Sequence, residues 1–313
     1  MGKMYDTLVK SRREQPQDTK QTDKSLFNKI FQKTNEPEMS DTHVKQQADP
    51  NAAVAQKPSA ASPSLPIVSN EQYQKPAEES GIDPQIIVYY EPRSKEAEQF
   101  RILRARLRKF SQDKQHKILL VLGTCPQEGK SFIASNLAVS IAQAGTSPVL
   151  LLDGDLRKPS LHKLFGLTAA KGLADYLAGN ASFDEIVYLT DISELYVIPA
   201  GDIPHNPAEL IASDRMQLLL NDIKTNSNFS TCWLIIDSPP VISTPEPAIL
   251  IEHADGFICV IQADKTDKKL VKDSLSKIDT NKLLGVVFNR IAYQAHNYYY
   301  YTDKRKTGNN VMS

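Results

Sequence analysis

A Gly-Lys-Ser triplet at Gly129, Lys130 and Ser131 lies between an apolar run and a stretch with helical apolar spacing. The run at residues 118–122 predicts a buried strand, and the residues from 130 onward predict a helix. A strand, a glycine-bearing loop and Lys-Ser at a helix start are typical of a phosphate-binding loop. Free N–H groups and the helix dipole at that point attract phosphate oxygens. The segment therefore predicts a nucleotide site.

Within this loop, Lys130 would reach the β- and γ-phosphates, and the Ser131 hydroxyl would ligate Mg²⁺. The residues expected to surround the phosphates are Gly123, Thr124, Cys125, Pro126, Gln127, Glu128, Gly129, Lys130, Ser131 and Phe132. One departure is visible, because the strict pattern places its first glycine at position 124, where this chain has Thr. The alternative is an ordinary strand–turn–helix with a chance Gly-Lys-Ser, and the order of the three features argues against it.

Carboxylates follow two further apolar runs. Asp153 and Asp155 come after the run at 149–152, and Asp237 ends the run that begins at 232. Ligands of parallel sheets bind at the carboxyl ends of the strands, so these side chains are expected on the same edge as the loop. Asp237 is placed to hold Mg²⁺, and Asp153 and Asp155 could serve as a metal ligand and as acceptor of a hydroxyl proton. The alternative for Asp237 is a carboxylate that caps the following turn.

The elements that must position these groups alternate between strands and helices. Further strand-like runs lie at 195–198, 256–261 and 283–289. This alternation predicts an α/β fold, a P-loop NTPase-like, mostly parallel, doubly wound sheet with helices on both faces. Asn289 ends the last strand, where its amide could read an adenine edge, although such an Asn is more often a turn residue.

Composition excludes several classes of protein. Lys+Arg and Asp+Glu both total 37, so no global charge attracts nucleic acid. The three cysteines are isolated, which indicates a reducing compartment. The apolar runs are strand-sized, and the N-terminus lacks the apolar core of a signal peptide. We therefore expect a cytoplasmic protein.

The two ends of the chain differ from its middle. Residues 1–81 are rich in polar residues and Pro and predict a disordered arm, with two short apolar islands that could be docking helices or residual hydrophobicity. Residues 82–292 are expected to form the nucleotide-binding domain, and residues 293–313 a flexible tail. The tail carries five clustered tyrosines, Tyr293, Tyr298, Tyr299, Tyr300 and Tyr301. A core cannot use aromatics without periodicity, and the alternative to a functional cluster is a tail that adds an edge strand or binds a partner.

A helix is also predicted at 96–107. Phe100, Leu103, Leu107 and Phe110 would form its buried stripe. Glu98, Arg101 and Arg104 recur every three residues on a different, solvent-facing side. A charged helix face is usually only solvated, so this signal alone is weak.

Three segments together resemble one family. TCPQEGKS at 124–131, LLLDGDLRKP at 150–159 and LIIDSPP at 234–240 look like the Walker A, A′ and B motifs of the bacterial tyrosine autokinases. These are capsule and exopolysaccharide kinases of the CpsD/CapB type, similar to the cytoplasmic domain of Wzc. The likeness runs from about residue 82 to the tyrosine cluster, and it includes the helix at 96–107 and GVVFN at 285–289.

The resemblance implies ATP and Mg²⁺ as cofactors and autophosphorylation of the five clustered tyrosines by a neighbouring copy. Lys130 and Ser131 would bind phosphate and metal, Asp237 would support the metal, and Asp153 and Asp155 would flank the transferred group. Glu98, Arg101 and Arg104 match the family helix that assembles protomers into a ring.

The resemblance further implies a separate membrane activator, a chain-length determinant that recruits the kinase to the inner face of the membrane. It also implies a cognate phosphotyrosine phosphatase and no nucleic acid partner. The alternative is a ParA/MinD-like ATPase that acts as a positioning or assembly switch. Such ATPases carry a signature lysine where this chain has Cys125, and they lack the tyrosine cluster.

Overall fold

Seven strands form a single sheet in a computed structural model that describes residues 81–110, 117–168, 171–229 and 231–291. The strands are β1 (Lys117–Gly123), β2 (Val149–Asp153), β3 (Tyr188–Leu189), β4 (Leu195–Ile198), β5 (Trp233–Asp237), β6 (Gly256–Gln262) and β7 (Leu283–Asn289). Their order is β3-β4-β2-β5-β1-β6-β7. The pairs are parallel apart from β3 with β4, so the predicted α/β class is confirmed. The short antiparallel edge strand β3 was not expected.

Helices cover both faces of this sheet. They are α1 (Ile87–Tyr90), α2 (Lys95–Phe110), α3 (Lys130–Ala142), α4 (Leu161–Leu164), α5 (Leu173–Ala178), α6 (Phe183–Ile186), α7 (Pro207–Ile211), α8 (Asp214–Thr225), α9 (Glu246–His253) and α10 (Lys268–Leu275). A 3₁₀ turn occupies Thr280–Lys282. No helix within the described ranges is both long enough and apolar enough to cross a membrane.

The two faces of the sheet form two hydrophobic clusters. Along β1, Leu120 and Leu122 pack into the cluster that includes α5, α8 and α9. Leu119 and Val121 pack into the other, with α1, α2 and α3. Because both faces of the strand are buried, its sequence is continuously apolar rather than alternating.

Helix α3 is buried along most of its length and even buries polar side chains. Asn136 accepts a hydrogen bond from the backbone N–H of Val88 at 3.1 Å and donates to the carbonyl of Gln85 at 3.0 Å. This amide ties α1 to α3, and it satisfies polar backbone that would otherwise be costly to bury.

Helix α2 begins and ends near its predicted bounds. Phe100 and Leu107 are buried and Phe100 contacts the ring of Phe132, so the apolar stripe is confirmed. Glu98 is exposed and pairs at 2.8 Å with Arg101, which is half-exposed and also donates to the backbone carbonyl of Pro92. The prediction that Arg104 shares their solvent-facing side is wrong: it is half-buried and donates to the backbone carbonyl of Ser140 on α3. Its guanidinium thus connects α2 to α3.

Predictions for the N-terminal arm and the tyrosine tail fall outside the described residues, apart from Gly81. The domain bounds at 82–292 remain predictions.

Candidate functional site

The predicted phosphate loop leaves the carboxyl end of β1 and leads into α3. Gly129 takes the N-cap position of α3 with a φ of 91°, and no side chain caps the helix start. The first N–H groups of a helix have no partner within the helix, so an uncapped start that follows a loop suits an anion. Lys130 is buried, and its Nζ lies 3.0 Å from the carbonyl oxygen of Cys125. The lysine therefore folds back along the loop it belongs to.

The departure at Thr124 has a structural reason. Positive φ angles in this loop occur at Gln127 and Gly129, so position 124 does not require glycine. Gly123 does, because a Cβ there would lie 2.5 Å from Glu128 Oε2 and 2.9 Å from the carbonyl oxygen of Val260. Glycine is therefore required at position 123, where the loop packs tightly against Glu128 and Val260, and not at position 124.

Glu128 was expected to contact the nucleotide, but its side chain lies beneath the loop. It is 1% exposed, and its Oε2 accepts from the backbone N–H of Cys125 at 2.8 Å. Its Oε1 accepts from the hydroxyl of Thr266 at 2.8 Å. This carboxylate connects the loop to the segment after β6, a role that no sequence motif indicated.

Asn289, at the end of β7, also holds the phosphate loop in place. Its Nδ2 donates to the carbonyl of Glu128 at 2.9 Å, and a Cβ on Gly129 would lie 2.1 Å from that nitrogen. Gly129 thus needs to be glycine both for its φ and for this close approach. The adenine-reading role of Asn289 stays a prediction.

We expect Glu128→Ala to lower the free energy of unfolding by about 1–3 kcal/mol, because it leaves the part-buried N–H of Cys125 without its acceptor. The loosened loop should also bind MgADP several-fold more weakly. Thr266→Val is the matched control, since it removes one of the two contacts and should have a smaller effect. Thermal denaturation and calorimetric titration measure both quantities. If Glu128→Ala kept the wild-type melting temperature and the wild-type affinity for MgADP, the contacts of Glu128 would be unimportant for the loop.

The three predicted carboxylates meet at one edge. Strand β5 lies between β1 and β2, and Asp153 and Asp237 are opposite each other in register. The Gly154 N–H donates to the Asp237 carbonyl at 2.8 Å and joins the two strand ends. The sheet order therefore brings the phosphate loop, Asp153 and Asp237 together.

Asp237 is fully buried, and neither of its oxygens has a well-formed hydrogen bond among the described residues. Burial raises the pKa of Asp237, and the neighbouring Asp153 raises it further. The nearby Ser131 hydroxyl and the Lys130 ammonium oppose this rise in pKa. A buried carboxylate without a partner is costly unless a cation neutralises it.

Asp153 organises the loop that follows β2. Its Oδ2 accepts from the backbone N–H groups of Ser160 and Leu161 at 2.9 and 3.0 Å. Burial raises the pKa of Asp153, while these hydrogen bonds lower it. Asp155 is half-exposed at the rim, and its Oδ1 accepts from the Lys158 N–H at 3.0 Å.

Arg157 and Glu246 were not singled out from the sequence. The Arg157 Nε donates to Glu246 Oε1 at 2.8 Å, and the Glu246 side chain is buried at the start of α9. The pair fixes the loop after β2 against the helix that follows the Asp237 segment. No local pattern could have revealed it, since 89 positions separate the two residues.

These features fit a nucleotide with a divalent cation. The uncapped start of α3 offers N–H groups to phosphates, and Asp237, whose oxygens lack partners, lies beside the Ser131 hydroxyl. Oxygen ligands that include one or two carboxylates, together with substrate phosphates, are what Mg²⁺ prefers.

No protein-family model matches the chain. The tyrosine-protein kinase YwqD of Bacillus subtilis is 36% identical over 218 residues, which cover 69% of this chain and 90% of YwqD. The chain belongs to the bacterial tyrosine-protein kinases. The tyrosine-protein kinase CpsD of Streptococcus agalactiae is 33% identical to this kinase over 207 residues, which cover 65% of this chain and 86% of CpsD. The tyrosine-protein kinase wzc of Salmonella typhimurium is 33% identical over 224 residues, but these make up 30% of wzc.

Solved structures agree with this assignment. The chimerical protein CapA2B2 superimposes on this kinase with a TM-score of 0.62 at 32% identity, over 70% of this chain and 94% of that one. The kinase domain of the Escherichia coli tyrosine kinase ETK has a TM-score of 0.61 at 29% identity, over 69% and 84% of the two chains.

Proposed function

We propose that this kinase transfers the γ-phosphoryl group of ATP, held with Mg²⁺, to the tyrosines of its C-terminal cluster in a neighbouring copy. The observation that carries the proposal is the buried pair Asp153 and Asp237 beside the uncapped start of α3. It supplies carboxylates where a metal-bound phosphate would need them.

In this proposal Lys130 neutralises the β- and γ-phosphates, and Ser131 and Asp237 hold the metal, with Asp153 as a further ligand. The bond between the γ-phosphorus and the ADP oxygen breaks as the tyrosine oxygen bonds to that phosphorus. The phenolic proton passes to Asp155, which is half-exposed at the rim.

Incubation of the purified chain with MgATP, followed by detection with an anti-phosphotyrosine antibody, tests the proposal. A tyrosine autokinase labels itself, whereas a ParA/MinD-like ATPase releases phosphate without phosphotyrosine. A scaffold that only binds ATP does neither. Cys125 at the signature-lysine position favours the kinase.

Replacing Tyr293 and Tyr298, Tyr299, Tyr300 and Tyr301 with Phe should remove most phosphate incorporation. The change leaves the nucleotide site intact, so an added tyrosine substrate should still be phosphorylated. Quantitative mass spectrometry of both proteins measures this. Full labelling of the five-Phe variant would place the acceptor tyrosines elsewhere, with Tyr89 and Tyr90 next in line because both are exposed.

Transfer between copies requires an assembly, and we propose that Glu98, Arg101 and Arg104 of α2 contribute to a ring. Charges that meet a complementary face specify register, and head-to-tail contacts of this kind can close. Of the three, Glu98 is exposed and Arg101 pairs with it on the same element, whereas Arg104 is tied to α3. Arg101 is therefore the sharper probe.

We expect Arg101→Glu to reduce the oligomer to smaller species, as measured by light scattering. Arg106→Glu is the matched control, since Arg106 is exposed on another side of α2. Fully phosphorylated wild type should also be smaller than unphosphorylated protein, because each phosphate adds about −1.5 to −2 charges near the acidic rim. Equal masses for all samples would contradict the assembly cycle.

We propose, from the family resemblance, that this activity regulates the polymerisation and export of a capsular or extracellular polysaccharide. We propose that a separate membrane protein of the chain-length-determinant class recruits and activates the kinase at the inner face of the membrane, and that a phosphotyrosine phosphatase resets it. Co-purification with a candidate activator, with and without ATP, tests this part.

A further inference from the structure

A groove of about 520 Å³ opens beside the loop that follows β2. One wall carries Arg157, Lys158, His162 and Lys163, and residues 201–203 form the other. Three of these side chains, those of Arg157, Lys158 and Lys163, are cations, in a chain whose formal net charge is zero. The volume lies in the range typical of ligand sites, roughly 300–1,000 Å³.

The charges of this basic groove are oriented toward solvent. Lys158 and Lys163 are exposed, and among the described residues neither forms an ion pair with a carboxylate. Arg157 is held by Glu246. Burial lowers the pKa of His162, and Lys163 lowers it further, so this imidazole is neutral at neutral pH. Asp202 is the acidic residue in the lining, so positive charge predominates.

The basic groove adjoins the proposed transfer site through its own backbone. The N–H groups of Ser160 and Leu161, between Lys158 and His162 in the chain, donate to Asp153 Oδ2 at 2.9 and 3.0 Å. The N–H of Lys158 donates to Asp155 Oδ1 at 3.0 Å. A group seated in the groove therefore lies against the segment of residues 157–163 whose backbone N–H groups hold the two carboxylates.

We propose that this groove holds a phosphotyrosine of the C-terminal cluster while another tyrosine of the same tail receives the next phosphoryl group. The inference rests on the proposed function and adds a second subsite to it. Tyr298, Tyr299, Tyr300 and Tyr301 are consecutive. In an extended chain, residues two apart lie on the same side at about 6.8 Å, so two tyrosines of the cluster can face the same side of the kinase at once.

Charge makes the groove selective for the modified tail. Residues 293–306 contain Asp303 against Lys304, Arg305 and Lys306, a net charge of 3 − 1 = +2 with His neutral. The carboxylates of Asp153, Asp155 and Asp237 therefore attract this positively charged segment, whereas the basic groove repels it. One phosphate adds about −1.5 to −2 charges, which cancels the positive charge of the segment and places on it a local anion that the lysines of the basic groove can pair with. A tail that has received one phosphate is then retained beside the site, and further phosphorylation follows before release.

The first test measures binding without catalysis. A fluorescent peptide of residues 293–306 phosphorylated at Tyr298 is titrated with phosphatase-treated full-length kinase in the absence of ATP. We expect it to bind at least tenfold more tightly than the unphosphorylated peptide, and Lys158→Ala/Lys163→Ala to remove about tenfold of this affinity. Lys109→Ala/Lys277→Ala, which removes two exposed lysines elsewhere, is the charge-matched control and should not change it. Equal affinities for the two peptides, or equal losses in the two double variants, would overturn the proposal.

The second test follows the products. Intact-mass analysis counts phosphates per chain at matched total incorporation. Wild type should carry several phosphates on a minority of chains, and Lys158→Ala/Lys163→Ala should shift toward singly phosphorylated chains by at least threefold. An unchanged distribution would overturn the processive role. If the proposed function itself were wrong, neither protein would incorporate phosphotyrosine, while the peptide titration would still report on the groove.

Discussion

Lys130→Met is expected to abolish autophosphorylation, with a loss of at least 100-fold in rate. In the proposed site, the Lys130 ammonium neutralises the charge that develops on the β- and γ-phosphates. Removing one group that stabilises the transition state in this way commonly lowers the rate by about 10²–10³-fold. Met keeps a similar length, so the chain should remain folded. The lost hydrogen bond to the Cys125 carbonyl costs about 1 kcal/mol. Anti-phosphotyrosine detection and thermal denaturation together measure activity and folding.

The matched control for this variant is Lys277→Met, which removes an exposed lysine after α10. It should label as wild type does. Phosphotyrosine at the wild-type level in a folded Lys130→Met protein would contradict the assignment of the phosphate loop as the transfer site.

Asp237→Asn is expected to have two effects of opposite direction. Kinase activity should fall by at least 100-fold, because the amide is a poorer ligand for Mg²⁺ than the carboxylate. The metal-free protein should become more stable at pH 7.5 by about 1–3 kcal/mol, since the change removes a buried charge that lacks a partner. A substitution that disables the enzyme yet stabilises the fold identifies a group retained for function.

The pH dependence of stability gives an independent check. The folded state raises the pKa values of Asp237 and Asp153 above the unfolded value of about 4. Groups of this kind contribute stability below the unfolded pKa and lose it as pH rises through the folded pKa. Metal-free wild type should therefore lose stability from about pH 4 upward through the raised values, and Asp237→Asn should lose less.

Asp191→Asn, at an exposed carboxylate, is the control for both effects and should behave as wild type does. Denaturant titrations in EDTA at several pH values measure the stability, and MgADP calorimetry measures the metal dependence of nucleotide binding. If stability fell with pH equally in wild type and in Asp237→Asn, Asp237 would not be the carboxylate whose burial costs stability.

Local pattern was sufficient for much of this protein. The buried strands could be predicted from apolar runs, because both faces of a doubly wound sheet exclude water. The strands that lie where these runs predict them are β1, β2, β4, β5, β6 and β7. The order of strand, loop and Lys130-Ser131 was enough to predict a nucleotide site, and the structure has the strand, loop and helix in that order.

The sequence could not predict which residues, remote from one another in the chain, come into contact. The insertion of β5 between β1 and β2 decides that Asp153 faces Asp237, and it follows from packing rather than from either motif. Arg104 turned inward because α3 offers it a carbonyl, and β3 was too short to carry a pattern. Glu128 reads as a loop residue, yet the tertiary structure buries it against Cys125 and Thr266. Each of these outcomes depends on satisfying a buried polar group with a partner remote in sequence, and periodicity within one element carries no information about such a partner.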